Sequence, residues 1–118
     1  MLDLSARNRG KAGKQLPPDG VYSSVVTDIK WAEGYEPEEA YEIIYVITSE
    51  DGKTYRHREL FKTDERNKRT AAFEAYIFGN GIADLADFTG KHEKLTIKRV
   101  KIGEREFANI VDREFVHA

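Results

Sequence analysis

The sequence predicts a mainly β protein: a small five-stranded barrel with one helix between strands 3 and 4. Three observations predict it. Apolar and polar residues alternate with period two over most of the chain, which is strand patterning. One stretch only, after Lys62, changes to helical spacing. Asp51-Gly52 joins two strand-like runs in the place where a two-residue hairpin turn needs residues tolerant of positive φ. A chain of 118 residues is long enough for one domain with a single core, and thirteen aromatic residues argue against disorder from end to end.

Residues 1 to 18 show no periodicity. With Gly10, Gly13, Pro17 and Pro18 among the cations Arg7, Arg9, Lys11 and Lys14, they read as a flexible basic arm, and the domain is expected over 19–118. From Val21 the first strand alternates, with Val21, Ser23, Val25, Thr27, Ile29 and Trp31 on one face and Tyr22, Ser24, Val26, Asp28 and Lys30 on the other. AEGYEPEEA, residues 32–40, is an acidic loop bearing Gly and Pro. YEIIYVITS is the second strand, rich in β-branched and aromatic residues. KTYRHRELFK supplies the third, with Tyr55, His57, Glu59 and Phe61 on one face and Thr54, Arg56, Arg58, Leu60 and Lys62 on the other. Asp64 suits an N-cap, and Ala72, Phe73, Tyr76 and Ile77 recur at helical spacing until Gly79 and Gly81, so a helix of about fourteen residues is expected. An apolar turn with Ile82, Leu85 and Phe88 leads to Gly90, and HEKLTIKRVKI and EREFANIVDREFV then form a last hairpin about Gly103.

Several chemistries are excluded or unsupported. Without cysteine there is no disulfide, thiolate metal site or cysteine nucleophile. His57, His92 and His117 lie too far apart in sequence for a local metal-ligand pairing. Thr89-Gly90-Lys91 is not a phosphate-binding loop, because Leu85 stands where its first glycine belongs and His92 where its Ser or Thr belongs. Gly79-Asn80-Gly81 lacks the spacing of a dinucleotide fingerprint and reads as a helix stop. The expectation is therefore a non-enzymatic protein with no cofactor and no metal. The N-terminus has cations but no apolar run after them, and no segment approaches the roughly 18 apolar residues of a membrane span. A soluble, cytoplasmic protein without a membrane partner is expected.

Charge is distributed unevenly. Residues 28–51 carry eight acids against Lys30 alone, whereas 53–69 and 91–105 each carry an excess of four cations. The chain is bipolar, and a polyanion is a plausible partner although the net charge is −2.

Five strands with a helix between the third and fourth is the order of the OB-fold, a partly open Greek-key barrel whose strand 2–3 face and adjoining loops bind oligonucleotides and oligosaccharides. An SH3-like barrel, or a five-stranded sheet with one packed helix, gives a similar string. On an OB-like barrel, Tyr41, Tyr45 and Tyr55 are the candidates to stack on bases, and Arg56 and Arg58 to meet phosphates. Lys98, Lys101 and Arg105 make the tip of the last hairpin basic, which serves either a polyanion or the protection of an edge strand. PDGVYSSVVTDIK, the hairpin YEIIYVITSEDGKTYRHRELF, the helix after it and the closing DFTGKHEKLTIKRV with EFANIVDREF together resemble the small OB-fold single-stranded-DNA-binding proteins of bacteriophages and mobile elements. The resemblance spans residues 17–116. It implies a protein that coats single-stranded DNA in replication or recombination, with replication or recombination proteins and further copies of itself as partners. The alternative from another class is a protein–protein adaptor or inhibitor that docks a basic partner on the acidic loop 33–42.

Overall fold

The computed structural model describes residues 16–64 and 66–117; Arg7, Arg9, Lys11 and Lys14 of the expected arm lie outside the described residues. Its strands are β1 (Gly20–Trp31), β2 (Ala40–Ser49), β3 (Thr54–Lys62), β4 (His92–Ile102) and β5 (Arg105–Val116). Helix α1 (Lys68–Gly79) and a 3-10 turn (Leu85–Phe88) lie between β3 and β4. All neighbouring strands run antiparallel, in the order β3-β2-β1-β4-β5. Packing begins earlier in the chain than Asp19. Pro17 is fully buried, Leu16 leans on the core, and the Arg99 guanidinium donates to the carbonyls of Pro17 (3.1 Å) and Leu16 (2.7 Å).

One face of the sheet, covered by α1 and the 3-10 turn, is the core. β2 contributes Tyr41, Ile43, Tyr45 and Ile47, β4 contributes Leu95 and Ile97, and Phe73, Ile77 and Phe88 cover them. The first strand departs from its expected alternation. A bulge at Thr27 shifts the β1–β2 register between Val26 and Asp28. One added residue turns Ile29 and Trp31 to the core side with Tyr22 and Val26, away from Val21 and Val25. The helix also starts later than Asp64. Asn67 caps it, its Oδ1 accepting from the Thr70 amide at 3.1 Å, while Asp64 closes a turn by accepting from the Arg66 amide.

No backbone ladder joins β3 to β5, so the sheet is not closed into a barrel by hydrogen bonds. Side chains bridge the two edges instead. Arg113 of β5 reaches Glu59 of β3 (Nη2–Oε1 2.5 Å) and Glu93 of β4 (Nη1–Oε2 3.4 Å), with its guanidinium 4.9 Å from the Phe73 ring centre. Tyr45 donates its hydroxyl to Glu59 at 2.6 Å, and Arg69 of α1 pairs with the other Glu59 oxygen at 3.1 Å. This cluster ties β2, β3, β4, β5 and α1 at one point.

Its charges are buried unequally. The Glu93 side chain is wholly enclosed, and burial raises its carboxyl above the ordinary value against the opposing pull of Arg113. Burial works against the Arg113 charge as well, but Glu59, Tyr45 and Glu93 outweigh it and hold the guanidinium above its ordinary value. Arg113 is thus a permanent cation between two carboxylates. Arg113→Met leaves Glu93 without a counter-charge and Glu59 with only Arg69 and Tyr45, and is expected to destabilise the domain by about 3–5 kcal/mol, read from the urea midpoint; an unchanged midpoint would contradict the bridge.

Because Glu93 holds its proton more tightly folded than unfolded, its stabilisation is complete below about pH 4.5 and is lost as pH rises through the folded-state value. His57, whose imidazole burial lowers, acts in the opposite sense as pH falls through 6.5. Glu93→Gln is therefore expected to stabilise the domain near pH 8, by a margin that shrinks toward pH 4.5. Melting both proteins across this range isolates the effect, since His57 is common to both.

Candidate functional site

The face of β1–β2–β3 away from the core is built by the alternate residues of each strand. Cross-strand register sets them in rows: Thr54, Thr48 and Ser23; Arg56, Val46 and Val25; Arg58, Ile44 and Asp28; Leu60, Glu42 and Lys30. Two rows run on into β4, where His92 stands beside Val25 and Lys94 beside Ser23. A strip of Val25, Val46 and Ile44 thus runs obliquely between polar margins. Ile44 is only 2% exposed although it lies outside the core cluster.

Both arginines singled out on β3 stand on this face and both are exposed. Arg58 pairs with Glu42 at 3.3 Å, which reduces its value to an incoming anion. Arg56 pairs with no carboxylate among the described residues. The neutralised guanidinium and the free one therefore sit on successive rows of the same strand.

The tyrosines lie on the opposite face. Tyr41 and Tyr45 are 3% and 0% exposed, and each hydroxyl is spent on a carboxylate, Tyr41 on Glu74 at 3.0 Å and Tyr45 on Glu59. Burial raises both hydroxyls well above the ordinary phenol range. Neither ring presents a face on which a base can stack; they are core residues. Tyr55 is half-buried, edge-on to Tyr22 at 6.0 Å, and lines a cleft of about 440 Å³ between the start of β1 and the β2–β3 turn. The period of a strand explains the separation: odd-numbered residues of β2 and β3 face inward and even-numbered residues face outward, so Tyr45 and Arg56 cannot share a side.

Lys98, Lys101 and Arg105 are exposed on a second surface. β1 pairs with β4 only from Ile97 to His92, so Lys98–Ile102 and the facing part of β5 run past β1 as a two-stranded ribbon. On standard sheet spacings, Lys98 is about 14 Å across the strands and about 20 Å along them from Arg56. The cations are therefore grouped in two places. The ribbon is not bare of apolar side chains, for Val100 pairs with Phe107 and Ile102 with Arg105, and Ile102 and Phe107 are exposed.

Exposed rings that the alternation did not single out as contacts occur at the other end of β1. Trp31 is 54% exposed beside Tyr41, and Tyr35 in the acidic loop carries the Lys62 ammonium 5.8 Å from its ring centre. His92 and Lys94 were also missed, because only the β1–β4 register brings them beside the arginine rows. A cleft of about 720 Å³ lies between Asp87 of the 3-10 turn, Lys91, His92 and His117. His117 contacts Asn80 at 3.2 Å there, at the C-terminal end of α1. Among the described residues, no group of three or more His, Asp or Glu side chains comes together as a metal-binding set. No helix among them is long and apolar enough to cross a membrane. Comparison with known proteins finds no matching family model, no matching curated protein and no matching solved structure.

Proposed function

We propose that this chain is a non-enzymatic, OB-like single-stranded-DNA-binding protein that contacts its ligand through the outer face of β1–β2–β3. The strand order supports the OB-like reading: β3 and β5 are the two edges that such a barrel brings together, and here Arg113 and Glu59 bridge them. The observation that carries the ligand assignment is Arg56, an exposed guanidinium without a carboxylate partner among the described residues, standing over an apolar strip and beside the hydroxyls of Thr48, Thr54 and Ser23. Phosphates meet Arg56, Arg58 and Lys94, and sugars lie on Val25 and Val46. With no Phe, Tyr or Trp on those rows and the His92 imidazole the one ring beside them, binding draws on charge more than on stacking and has little base preference. Replication or recombination of a phage or mobile element, in the cytoplasm, is the setting that the sequence resemblance implies.

A fluorescent oligo-dT titrated at several salt concentrations tests this. Binding is expected to weaken steeply with salt, and Arg56→Ala with Arg58→Ala to flatten the log–log slope by about 0.7 for each phosphate no longer neutralised. Should a folded double mutant keep both affinity and slope, the outer face is not the interface. Glu42→Gln frees Arg58 and is expected to tighten binding in the same assay; equal or weaker binding would show that the Arg58 pair is irrelevant to the ligand.

The second reading, an adaptor that offers its acidic loop to a basic protein, is favoured by one observation: the loop is built rather than loose. Thr63 donates its hydroxyl to the carbonyls of Glu38 (2.7 Å) and Glu39 (3.0 Å), and the Glu36 amide bonds the Glu39 carboxylate at 3.0 Å. Glu38 is held at φ +65°, in the left-handed region.

A further inference from the structure

We infer that the acidic loop of one copy of this chain docks on the β4–β5 ribbon of a second copy. The inference stands apart from nucleic-acid binding and uses neither Arg56 nor Arg58.

The two surfaces are complementary in sign. Residues 32–39 hold Glu33, Glu36, Glu38 and Glu39 with no cation, a charge of −4. Residues 98–106 hold Lys98, Arg99, Lys101 and Arg105 against Glu104 and Glu106, a charge of +2. Only Arg99 of the four cations is committed to a carboxylate, Glu106 at 3.6 Å, among the described residues. They are complementary in kind as well. The loop brings the exposed rings of Trp31 and Tyr35, and the ribbon brings Val100, Ile102 and Phe107 on one face, with Ile102 66% exposed. Apolar side chains at the centre with opposite charges around them are what a specific contact between proteins needs.

Within one molecule the two surfaces cannot meet. The loop follows the last residue of β1 and the ribbon projects past the first, so the twelve-residue strand holds them about 36 Å apart. The longest dimension of the molecule is 48 Å. A bipolar protein of this shape satisfies each pole on another copy, and repetition of one loop–ribbon contact builds a ring or an open chain according to the rotation it imposes.

Both surfaces are already ordered, which lowers the entropic cost of docking. Thr63 fixes the loop, and Asp19 fixes the base of the ribbon by accepting from the Arg99 amide at 2.7 Å, alongside the Arg99 bonds to Leu16 and Pro17.

Sedimentation velocity on the full chain, without nucleic acid, over a wide concentration range tests the inference. The average mass is expected to rise with concentration at low salt and to fall toward the monomer at about 1 M salt, where screening acts within about 3 Å. Two charge reversals localise the contact. Lys98→Glu with Arg105→Glu on the ribbon, and Glu33→Lys with Glu36→Lys and Glu38→Lys on the loop, are each expected to weaken association about tenfold or more. An equimolar mixture of the two is expected to restore it, because the reversed ribbon then matches the reversed loop. A wild type that stays monomeric at every concentration overturns the inference without recourse to any variant. So does a mixture of natively folded variants that fails to associate. A ribbon variant that loses oligo-dT binding yet associates like the wild type also overturns it, assigning the ribbon to nucleic acid instead.

Discussion

A single enclosed cation holds the two edges of this sheet together. Arg113 sits between Glu59 and Glu93, under Phe73, where water cannot repay the cost of burying any of the three charges. Apolar residues of similar size would give comparable stability, so the charges have to be understood by what they specify. A guanidinium has one geometry in which it reaches a carboxylate on β3 and another on β4 together. That geometry fixes how far β5 lies from β3 when no backbone ladder sets the distance. Arg69 joins α1 to the same Glu59, and Tyr45 joins β2, so displacement of any one element disturbs the bonds of the others. The helix is docked and the sheet is curled by the same few atoms.

The division of the rings follows from that arrangement. A small core with a charged cluster at one side needs large side chains elsewhere, and Tyr41, Phe61, Phe73 and Phe88 supply them as a train of ring contacts at 5.6, 4.3 and 5.7 Å between centres. Aromatics spent inside leave the outer face of β1–β2–β3 to guanidiniums, hydroxyls and aliphatic side chains. The exposed Trp31, Tyr35 and Phe107 fall at the two ends of the molecule, beside opposite charges. The chemistry of the surface is therefore divided three ways: a face of guanidiniums, hydroxyls and aliphatic side chains in the middle, an acidic aromatic end and a basic apolar end.

Much of the fold was legible because period-two patterning and the Asp51-Gly52 turn are local signals. Five strands, one helix and the β2–β3 hairpin were all readable from them. What was not legible depends on register. The bulge at Thr27 has no marker in the residues around it, since Thr fits either face of a strand, and it alone decides where Ile29 and Trp31 go. Asn67 took the cap from Asp64 because the chain first closes a turn at Arg66. The alternation did hold a sign of the central cluster: Glu59 shares its parity with Phe61, Glu93 with Leu95 and Ile97, and Arg113 with Phe115. Three strands each place one charge among core residues, and only their meeting in space makes that sensible. Parity along β3 already separated Tyr55 from Arg56 and Arg58, but Tyr41 and Tyr45 stand on another strand, and only the β2–β3 register shows that they share the inward side with Tyr55.

Edge protection connects the central cluster to the behaviour of the surface. An open sheet offers two unpaired strand edges, and exposed edges recruit other chains indiscriminately through the backbone. Here β3 and the end of β5 that carries Arg113 are turned toward one another and held by Glu59, so they are withdrawn from such pairing along that stretch. The part of β5 from Arg105 to Asn109 lies beyond this protection, in the ribbon. Its defence is Lys98, Lys101 and Arg105, which repel a second ribbon of the same charge while leaving an acidic surface free to approach. The cations that prevent one ribbon from pairing with another therefore also select what the ribbon accepts, and the surface of matching sign that this chain itself carries is the loop between β1 and β2.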